Sequence, residues 1–284
     1  MKKIFLVLFA MVVMLPACDK IEGPYIAIDE SVNTDVEFPD VNPSAVTRNI
    51  LMEEFTGHKC PNCPDGQRTL ANIEEQFGDQ LITIAVHAGF FALPATELPQ
   101  DFRTEEGSAL LADFSVTSFP SGVVNRAPYQ NQTALGVSQW QNAISAASQL
   151  EPLAAVQIIN VYDAAENKLT AHTRTTFITP YEGRVQLALY VVEDGIVAPQ
   201  IDNTDTVADY VHNHLLRCSL NGTYGTQISE AGTVEVNEGY LKSYEVKLND
   251  KEWDINHCSI VAILMDAITH EVLQVEKEAF TNAK

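Results

Sequence analysis

A pair of cysteines separated by two residues constrains the fold more than any other feature, because of what is predicted on either side of it. Residues 48–55 have the apolar character of a strand, and residues 61–77 have the apolar spacing typical of a helix. Cys60 and Cys63 therefore lie where a strand ends and a helix begins. At a helix N-terminus, the unpaired N–H groups and the helix dipole favour a thiolate. We predict that Cys60 is the attacking thiol and that Cys63 resolves a mixed disulfide.

The residues beside the pair favour the same chemistry. Lys59 precedes Cys60, and its charge, together with that of His58 if this histidine is protonated, would lower the pKa of the Cys60 thiol further. Pro64 is compatible with the first turn of the helix, because N–H groups there need no acceptor within the helix.

Strand and helix signals continue to alternate through the first half of the chain. The further predicted elements are a strand at 81–86, a helix at 105–114, a strand at 122–125 and a helix at 138–150. Such alternation implies an α/β sheet with helices on its faces. We therefore predict an α/β domain over residues 46–151.

Beyond Pro152 the pattern changes to short apolar runs separated by turn residues. The predicted strands are 155–161, 169–177, 185–192, 233–236, 244–248, 260–265 and 272–275. Short strands at this spacing are typical of a β-sandwich. Residues 152–284 are therefore predicted to form an all-β, immunoglobulin-like sandwich domain.

The N-terminus has the features of a bacterial export signal. Two lysines and an apolar stretch precede Leu15-Pro16-Ala17-Cys18, which resembles the bacterial lipobox. The resemblance implies that residues 1–17 are removed and that Cys18 becomes the lipid-modified first residue. A plain signal peptide with an incidental cysteine is the alternative. Residues 18–45 are acidic and contain prolines, which predicts a flexible tether.

The formal net charge of −21 limits the classes of partner. Nucleic acid and anionic lipid head groups would be repelled by such a surface, so neither is an expected partner. Membrane attachment is expected through the lipid on Cys18, because no later stretch of sequence is long and apolar enough to span a bilayer. We predict no cofactor.

The cysteine pair and two other positions resemble thioredoxin-like proteins. Glu54 lies six residues before Cys60, where that family keeps a buried acid that moves protons for the resolving cysteine. Ser118-Phe119-Pro120-Ser121 enters the third predicted strand, where the family has a cis-proline that packs against the disulfide and aligns the partner chain. The resemblance implies catalytic roles for Cys60, Cys63, Glu54 and Pro120.

Three residues beside the pair differ from the thioredoxin pattern. Lys59 replaces the usual tryptophan, and Pro61-Asn62 replaces Gly-Pro between the cysteines, which leaves the substrate surface and the reduction potential open.

Glu53 and Glu54 are neighbours on a predicted strand and must point to opposite faces, so we expect one of them to be solvated.

A wider resemblance covers almost the whole mature chain. The segments 18–25, 51–60 and 210–217 are similar to the outer membrane protein 28-related lipoprotein family. This resemblance implies a bacterial envelope lipoprotein, in the outer membrane and at its periplasmic face or the cell surface, with a thioredoxin-like domain joined to a β-rich domain. It implies no established substrate.

Two alternatives to catalysis remain open for the pair. Cys60 and Cys63 could be a structural disulfide in a binding module, or they could form half of a zinc site completed by His58 and His87, although no second Cys-x-x-Cys is present. Exposure separates catalysis from a structural role: a catalytic Cys60 should be accessible beside an apolar groove near Pro120, whereas a structural pair should be covered.

The remaining cysteines lie at the edges of predicted strands. Cys218 and Cys258 could form a structural disulfide across strands or sheets, with buried thiols as the alternative. His212 and His214 could bind a metal with His257 or His270, but histidines in a polar segment usually only form hydrogen bonds, so we predict no metal site.

The leading functional prediction is a thiol–disulfide oxidoreductase of the bacterial envelope. Its expected partners are the thiols or disulfides of envelope or surface polypeptides, and Cys18 would anchor it to the membrane. The alternative is a non-catalytic binding or adhesion lipoprotein that uses the α/β domain as a scaffold.

Overall fold

The first half of the protein has alternating strands and helices. A computed structural model describes residues 36–230, 232–248 and 252–282. Its first elements are β1 (Ile50–Thr56), α1 (Cys63–Phe77), β2 (Leu81–His87), α2 (Glu105–Asp113), β3 (Ser121–Val124) and α3 (Val137–Ala147). The order and type of these elements confirm the sequence prediction. Their boundaries differ from the predicted ones by a few residues.

The second half consists of strands, which confirms its predicted β-rich character. They are β4 (Ala154–Asp163), β5 (Lys168–Phe177), β6 (Tyr181–Glu182), β7 (Val185–Glu193), β8 (Ile196–Asp202), β9 (Asp205–His212), β10 (Leu215–Ser219), β11 (Thr226–Gln227), β12 (Thr233–Val234), β13 (Gly239–Lys247), β14 (Cys258–Asp266) and β15 (Val272–Ala279). Five of these strands were not predicted from the sequence: β8, β9, β10 and the two-residue strands β6 and β11.

One mixed sheet contains strands from both halves. Within the described residues its order is β15-β14-β7-β10-β2-β1-β3, with β11 paired to β7. β1 is parallel to β2 and antiparallel to β3, and β10 joins β2 through the pair Leu215 and Ala85. The prediction of separate sheets in the two halves is wrong, because β10 of the second half pairs with β2 of the first half in one sheet.

The centre of this sheet is covered on both faces. Every residue of β1 and β2 is buried, as expected for apolar strands with structure on both sides. Within the described residues, β13, β5 and β4 form a separate three-stranded sheet. An apolar core joins that sheet to the large one and includes Leu169, Phe177, Leu189, Tyr244 and Ile260.

The β8–β9 hairpin stands apart from both sheets. Within the described residues its two strands pair with each other and with no further strand. Ile196 pairs with His212 at its base, and Asp202 pairs with Asp205 beside the turn. Pro199 and the acidic residues of these strands are unfavourable in β-structure, which explains why sequence patterns did not predict the hairpin.

Part of the predicted tether contacts the second half. The Gln157 side chain donates a hydrogen bond to the carbonyl of Pro39 at 2.9 Å, and the Arg174 guanidinium carbon lies 5.4 Å from the centre of the Phe38 ring. Cys18 and the predicted signal peptide lie outside the described residues. In the part of the chain that the structure describes, no helix is long and apolar enough to cross a membrane.

Candidate functional site: a covered disulfide

The cysteine pair lies at the start of α1 and forms a disulfide. The sulfurs of Cys60 and Cys63 are bonded, with 5.4 Å between the two Cα atoms. Cys63 is the first residue of α1, and Pro64 follows it in the first turn, where a missing N–H removes no helical hydrogen bond. The pair is therefore positioned by the strand and helix that the sequence predicted.

The disulfide is covered. Cys60 is 1% exposed, and Cys63 is fully buried. The sequence analysis expected an accessible Cys60 for a catalytic pair, so this burial is what a structural pair would show. Whether the pair can react therefore depends on which part of the protein covers Cys60 and whether that part can move away.

The cover comes from the β8–β9 hairpin, which belongs to the other half of the chain. The N–H of Ile201 donates to the carbonyl of His58 at 2.8 Å, and the N–H of Asn203 donates to the carbonyl of Pro61 at 2.8 Å. Both carbonyls belong to the loop that carries the cysteines. The hairpin thus binds the main chain on either side of Cys60.

Glu54 is a buried acid on the strand that leads to the pair. It is 2% exposed, and burial raises the pKa of its carboxyl to about 8. The Gln67 side-chain nitrogen lies 3.4 Å from Glu54 Oε2. Glu54 Oε1 has no hydrogen-bond partner among the described residues. Because Gln67 follows Cys63 by four residues on α1, Cys63 lies on the helix face that contacts Glu54.

A pocket of about 220 Å³ adjoins Glu54 and is lined by Tyr210 and His214. Burial lowers the pKa of His214, but hydrogen bonds to Asp194 and Glu74 outweigh this effect and raise the pKa to about 9. His214 is therefore charged at neutral pH. Glu54, Tyr210 and His214 thus line the same pocket, on the side of α1 that faces β9.

Pro120 packs beside the first turns of α1. Its peptide bond to Phe119 is cis, as the resemblance implied. A Cβ atom added to Gly66 would lie 2.7 Å from Pro120 Cγ, so the ring occupies the space that a side chain at residue 66 would need. Gly66 lies one turn after Cys63. The structure therefore brings Cys60, Cys63, Glu54 and Pro120 to the same end of α1.

An aromatic surface borders this site and consists of Phe90, Phe91 and Phe119. Phe90 is 71% exposed, and the ring centres of Phe91 and Phe119 are 5.7 Å apart. The Lys59 ammonium lies 4.5 Å from the centre of the Phe90 ring. This aromatic surface remains partly open to solvent, although the disulfide beside it is covered.

Three buried histidines lie where the hairpin meets the core, and one of them, His212, is the last residue of β9. The ring centres of His58 and His87 are 6.3 Å apart, and those of His87 and His212 are 5.4 Å apart. Burial lowers the pKa of each ring: His58 below its usual value, His87 well below it and His212 to about 4. The positive charge that a protonated His58 could have given to Cys60 is therefore not available at neutral pH.

The four histidines of the second half that were considered as metal ligands are not brought together. His212 lies in the buried cluster, whereas His214 lies between two carboxylates. His257 precedes β14, and His270 stacks on Tyr224 with ring centres 3.7 Å apart. Among the residues that the structure describes, no group of three or more His, Cys, Asp or Glu side chains is arranged to hold a metal ion.

The considered disulfide between Cys218 and Cys258 is wrong for the described chain, because the two thiols are not bonded. Cys218 pairs with Val191 on one edge of β7, and Cys258 pairs with Glu193 on the other edge. Strands on either side of a third strand are about 9.6 Å apart, whereas a disulfide needs Cα atoms within about 7 Å. Burial raises the pKa of the Cys258 thiol to about 12.

The expectation that Glu53 or Glu54 is solvated is also wrong, since both are buried. Arg126 donates to the two carboxylate oxygens of Glu53 at 2.6 and 3.0 Å and to the hydroxyl of Tyr190 at 3.2 Å. Sequence reasoning missed Arg126, because no local pattern links it to a strand more than seventy residues earlier in the chain.

Comparison with known families now identifies the lineage of this fold. Residues 107–284 match the family described as outer membrane protein Omp28. The chain belongs to the Omp28 family. Membership supports a location in the bacterial cell envelope, at the outer membrane. The matched region includes the β8–β9 hairpin and begins after the cysteine pair. A comparison with curated protein sequences finds no match.

Solved structures extend the likeness beyond the matched region. HBP35 of Porphyromonas gingivalis has a TM-score of 0.66 at 17% identity, over 83% of this chain and 76% of that one. A domain of the outer membrane lipoprotein Omp28 from Porphyromonas gingivalis has a TM-score of 0.33 at 20% identity, over 47% of this chain and 92% of that one. The likeness to HBP35 shows a shared β-rich fold for this Omp28-family protein.

Proposed function

We propose that this Omp28-family protein is an envelope lipoprotein, anchored through Cys18, that exchanges thiols and disulfides with envelope or surface polypeptides. The proposed unit is the thioredoxin-like segment 46–151. One observation carries the proposal: Cys63 lies on the helix face that contacts Glu54, a buried acid whose pKa of about 8 suits proton exchange with a thiol.

The reaction starts from the oxidised pair. A substrate thiolate attacks the sulfur of Cys60, the bond between Cys60 and Cys63 breaks, and the new bond joins the substrate to Cys60. Cys63 leaves as a thiolate and takes a proton from Glu54, which regains one through the adjoining pocket. A second substrate thiol then releases the substrate as a disulfide and leaves both protein cysteines reduced. Each step is reversible.

The aromatic surface supports a polypeptide as substrate. Phe90, Phe91 and Phe119 present apolar area next to Pro120, where an extended chain carrying a cysteine could lie. In the proposed reaction Pro120 aligns that chain with Cys60. The negative net charge favours polypeptides over anionic polymers.

A second candidate function is binding or adhesion without catalysis, in which the disulfide only stabilises the fold. The observation that favours it is the 1% exposure of Cys60. The two candidates differ in whether the pair reacts while the protein stays folded.

A redox titration separates them. The chain from residue 19 onward is equilibrated with glutathione or dithiothreitol buffers, and free thiols are trapped at each potential while circular dichroism reports folding. We expect a reversible transition of the folded protein that disappears in Cys60→Ser. In the matched control Cys258→Ser, which removes a buried thiol of the same protein, the transition should persist.

The midpoint potential also gives the direction of exchange with a known partner couple. If the pair becomes reducible only when the protein unfolds, the exchange function is wrong and the binding function takes its place.

A further inference from the structure

The two chain connections between the β8–β9 hairpin and the rest of the fold lie side by side. Ile196 pairs with His212 at the base, and the N–H of Gly195 donates to the side-chain oxygen of Asn213 at 2.9 Å. Gly195 has φ +74°, a conformation that glycine adopts without strain. A hairpin whose two ends meet at one point can move as a unit while the sheets stay intact.

The hairpin is held over the cysteines by hydrogen bonds. Besides the two main-chain bonds, the Gln200 side-chain nitrogen donates to the carbonyl of Cys60 at 3.2 Å. The Arg68 side chain bonds Asp202 at 2.9 Å near the turn, with the arginine half exposed. Such bonds contribute little net stability, because water replaces them when the two surfaces separate.

Several polar atoms are left without partners when the hairpin is closed. Among the described residues these include Gln200 Oε1, His58 Nδ1 and both ring nitrogens of His87. Each buried polar atom without a partner disfavours the closed arrangement, since opening would let water bind it. A permanent cover would be expected to place apolar side chains here instead.

The histidine cluster lies across the contact between the hairpin and the core. His212 comes from β9, whereas His87 ends β2 and His58 precedes the cysteines. Phe102 packs on His87 and His212, with ring centres 5.2 Å away in each case. Adding a proton to His87 or His212 would place a charge in an apolar, imidazole-lined space, and opening the hairpin relieves it.

The other groups that face the cluster offset little of that charge. Tyr210 lies beside His212 with ring centres 5.0 Å apart. Lys59, Asp101 and Arg103 act on His58, and the last two form an ion pair at 2.6 Å whose charges largely cancel.

We propose that the β8–β9 hairpin is a lid that covers the Cys60–Cys63 disulfide, and that protonation of the histidines at its contact with the core opens the lid in acid. This inference rests on the exchange function proposed above and adds regulation by pH to it. The pair is protected at neutral pH and becomes reactive as the pH falls.

The expected change in the open fraction with pH follows from the linkage between proton binding and lid opening. Burial lowers the pKa of His212 to about 4, whereas an imidazole in water titrates near pH 6.5. Between pH 4 and pH 6.5, His212 is therefore protonated in the open state and neutral in the closed state, so protons favour opening. Above pH 6.5 it is neutral in both states, and the closed state keeps its full stability. Lowering the pH from 7.5 to 5.0 should raise the open fraction about 30-fold through His212 alone.

The test measures how fast a phosphine reductant reaches the disulfide. The chain from residue 19 onward is treated with tris(2-carboxyethyl)phosphine at pH 7.5 and pH 5.0, and released thiols are counted. An unstructured peptide disulfide of sequence Cys-Pro-Asn-Cys in the same buffers corrects for the reductant's own pH dependence. We expect the corrected rate to rise by at least about 30-fold in acid, which is the contribution of His212 alone.

Three variants test which residues cause the pH dependence of reduction. His212→Gln keeps a polar side chain that does not titrate, so the rise should become about 30-fold smaller than in the unchanged protein. The matched control is Val211→Thr, on the outward side of β9 at 50% exposure, which should keep the full rise. Ile201→Pro removes the N–H that binds His58, and it should speed reduction at pH 7.5 about fivefold without removing the pH dependence.

The lid is wrong if the corrected rate is the same at both pH values, or if His212→Gln rises as much as the unchanged protein. These results do not depend on any protein substrate. A lid that opens over a pair with no reversible redox transition would refute the exchange function alone, and a reversible pair with no pH-dependent access would refute the lid alone.

Discussion

Polar groups are buried in two places where the halves of the protein meet, and the two places differ. In the central sheet, Arg126 bonds both oxygens of Glu53 and the hydroxyl of Tyr190. Under the β8–β9 hairpin, both nitrogens of His87 and one of His58 have no partner among the described residues. The polar groups of the first contact have hydrogen-bond partners, whereas several of those in the second contact have none among the described residues.

The difference separates a permanent contact from one that can open. A buried ion pair with short hydrogen bonds to both partners is costly to separate, because each charge would remain in an apolar space. Unpaired imidazole nitrogens lose nothing when water reaches them. The chain thus places its weaker contact over the disulfide and its stronger one in the sheet.

The largest expected effect comes from breaking the satisfied contact. Arg126→Met leaves the Glu53 carboxylate buried without its partner, so the free energy of unfolding should fall by about 3–5 kcal/mol. Urea unfolding at pH 7 measures this change. Arg103→Met, which breaks an ion pair at the surface, is the control and should cost under about 1 kcal/mol. Equal losses in the two variants would remove the distinction between the contacts.

A smaller effect tests the buried acid beside the disulfide. The carboxyl of Glu54 has a pKa of about 8 in the folded protein and about 4.5 when unfolded. Unfolding therefore releases a proton between these values, so the stabilising contribution of Glu54 is complete below pH 4.5 and is lost as the pH rises to 8. Relative to Glu54→Gln, the wild type should lose about 1.4 kcal/mol per pH unit between pH 5 and 7.

Chemical denaturation of both proteins at several pH values gives this difference directly. Taking the difference also cancels the histidines, whose lowered pKa values act in the opposite direction. Parallel stability curves would show that Glu54 does not hold its proton in the folded state.

The smallest effect is expected under the hairpin. His87→Leu replaces an unpaired imidazole with an apolar side chain of similar size, so the free energy of unfolding should change by less than about 1 kcal/mol or increase. Urea unfolding at pH 7 provides the measurement. A loss as large as that of Arg126→Met would mean that the imidazole is satisfied and that both contacts are permanent.

Local patterns were sufficient for one side of the site. The strand before Cys60 and the helix at the cysteine pair follow from apolar spacing, and the cis peptide bond at Pro120 follows from the resemblance to thioredoxin-like proteins; the structure has all three. Such features depend on residues close in sequence. Even so, the burial of both Glu53 and Glu54 was not predictable from alternation, because a sheet covered on both faces has no solvated side.

Long-range contacts account for what the sequence analysis missed. β10 joins β2 across more than a hundred residues, and the hairpin reaches Cys60 from a similar distance. Neither contact leaves a signal in local composition, and Pro199 even argues against a strand. The considered Cys218–Cys258 disulfide failed for the same reason, because the strand that separates the two cysteines was not placed between them.

The most direct test of the central claim is to trap partners on Cys60. The variant Cys63→Ser is expressed in the bacterium that makes this protein and is exported to its envelope. Because Cys63 can no longer resolve a mixed disulfide on Cys60, acid quenching and alkylation should preserve that disulfide. We expect dithiothreitol-sensitive adducts with envelope polypeptides on non-reducing gels, and we expect none of them from Cys60→Ser/Cys63→Ser. Identical patterns from the single and double variants would contradict it and leave the disulfide a structural element under a fixed cover.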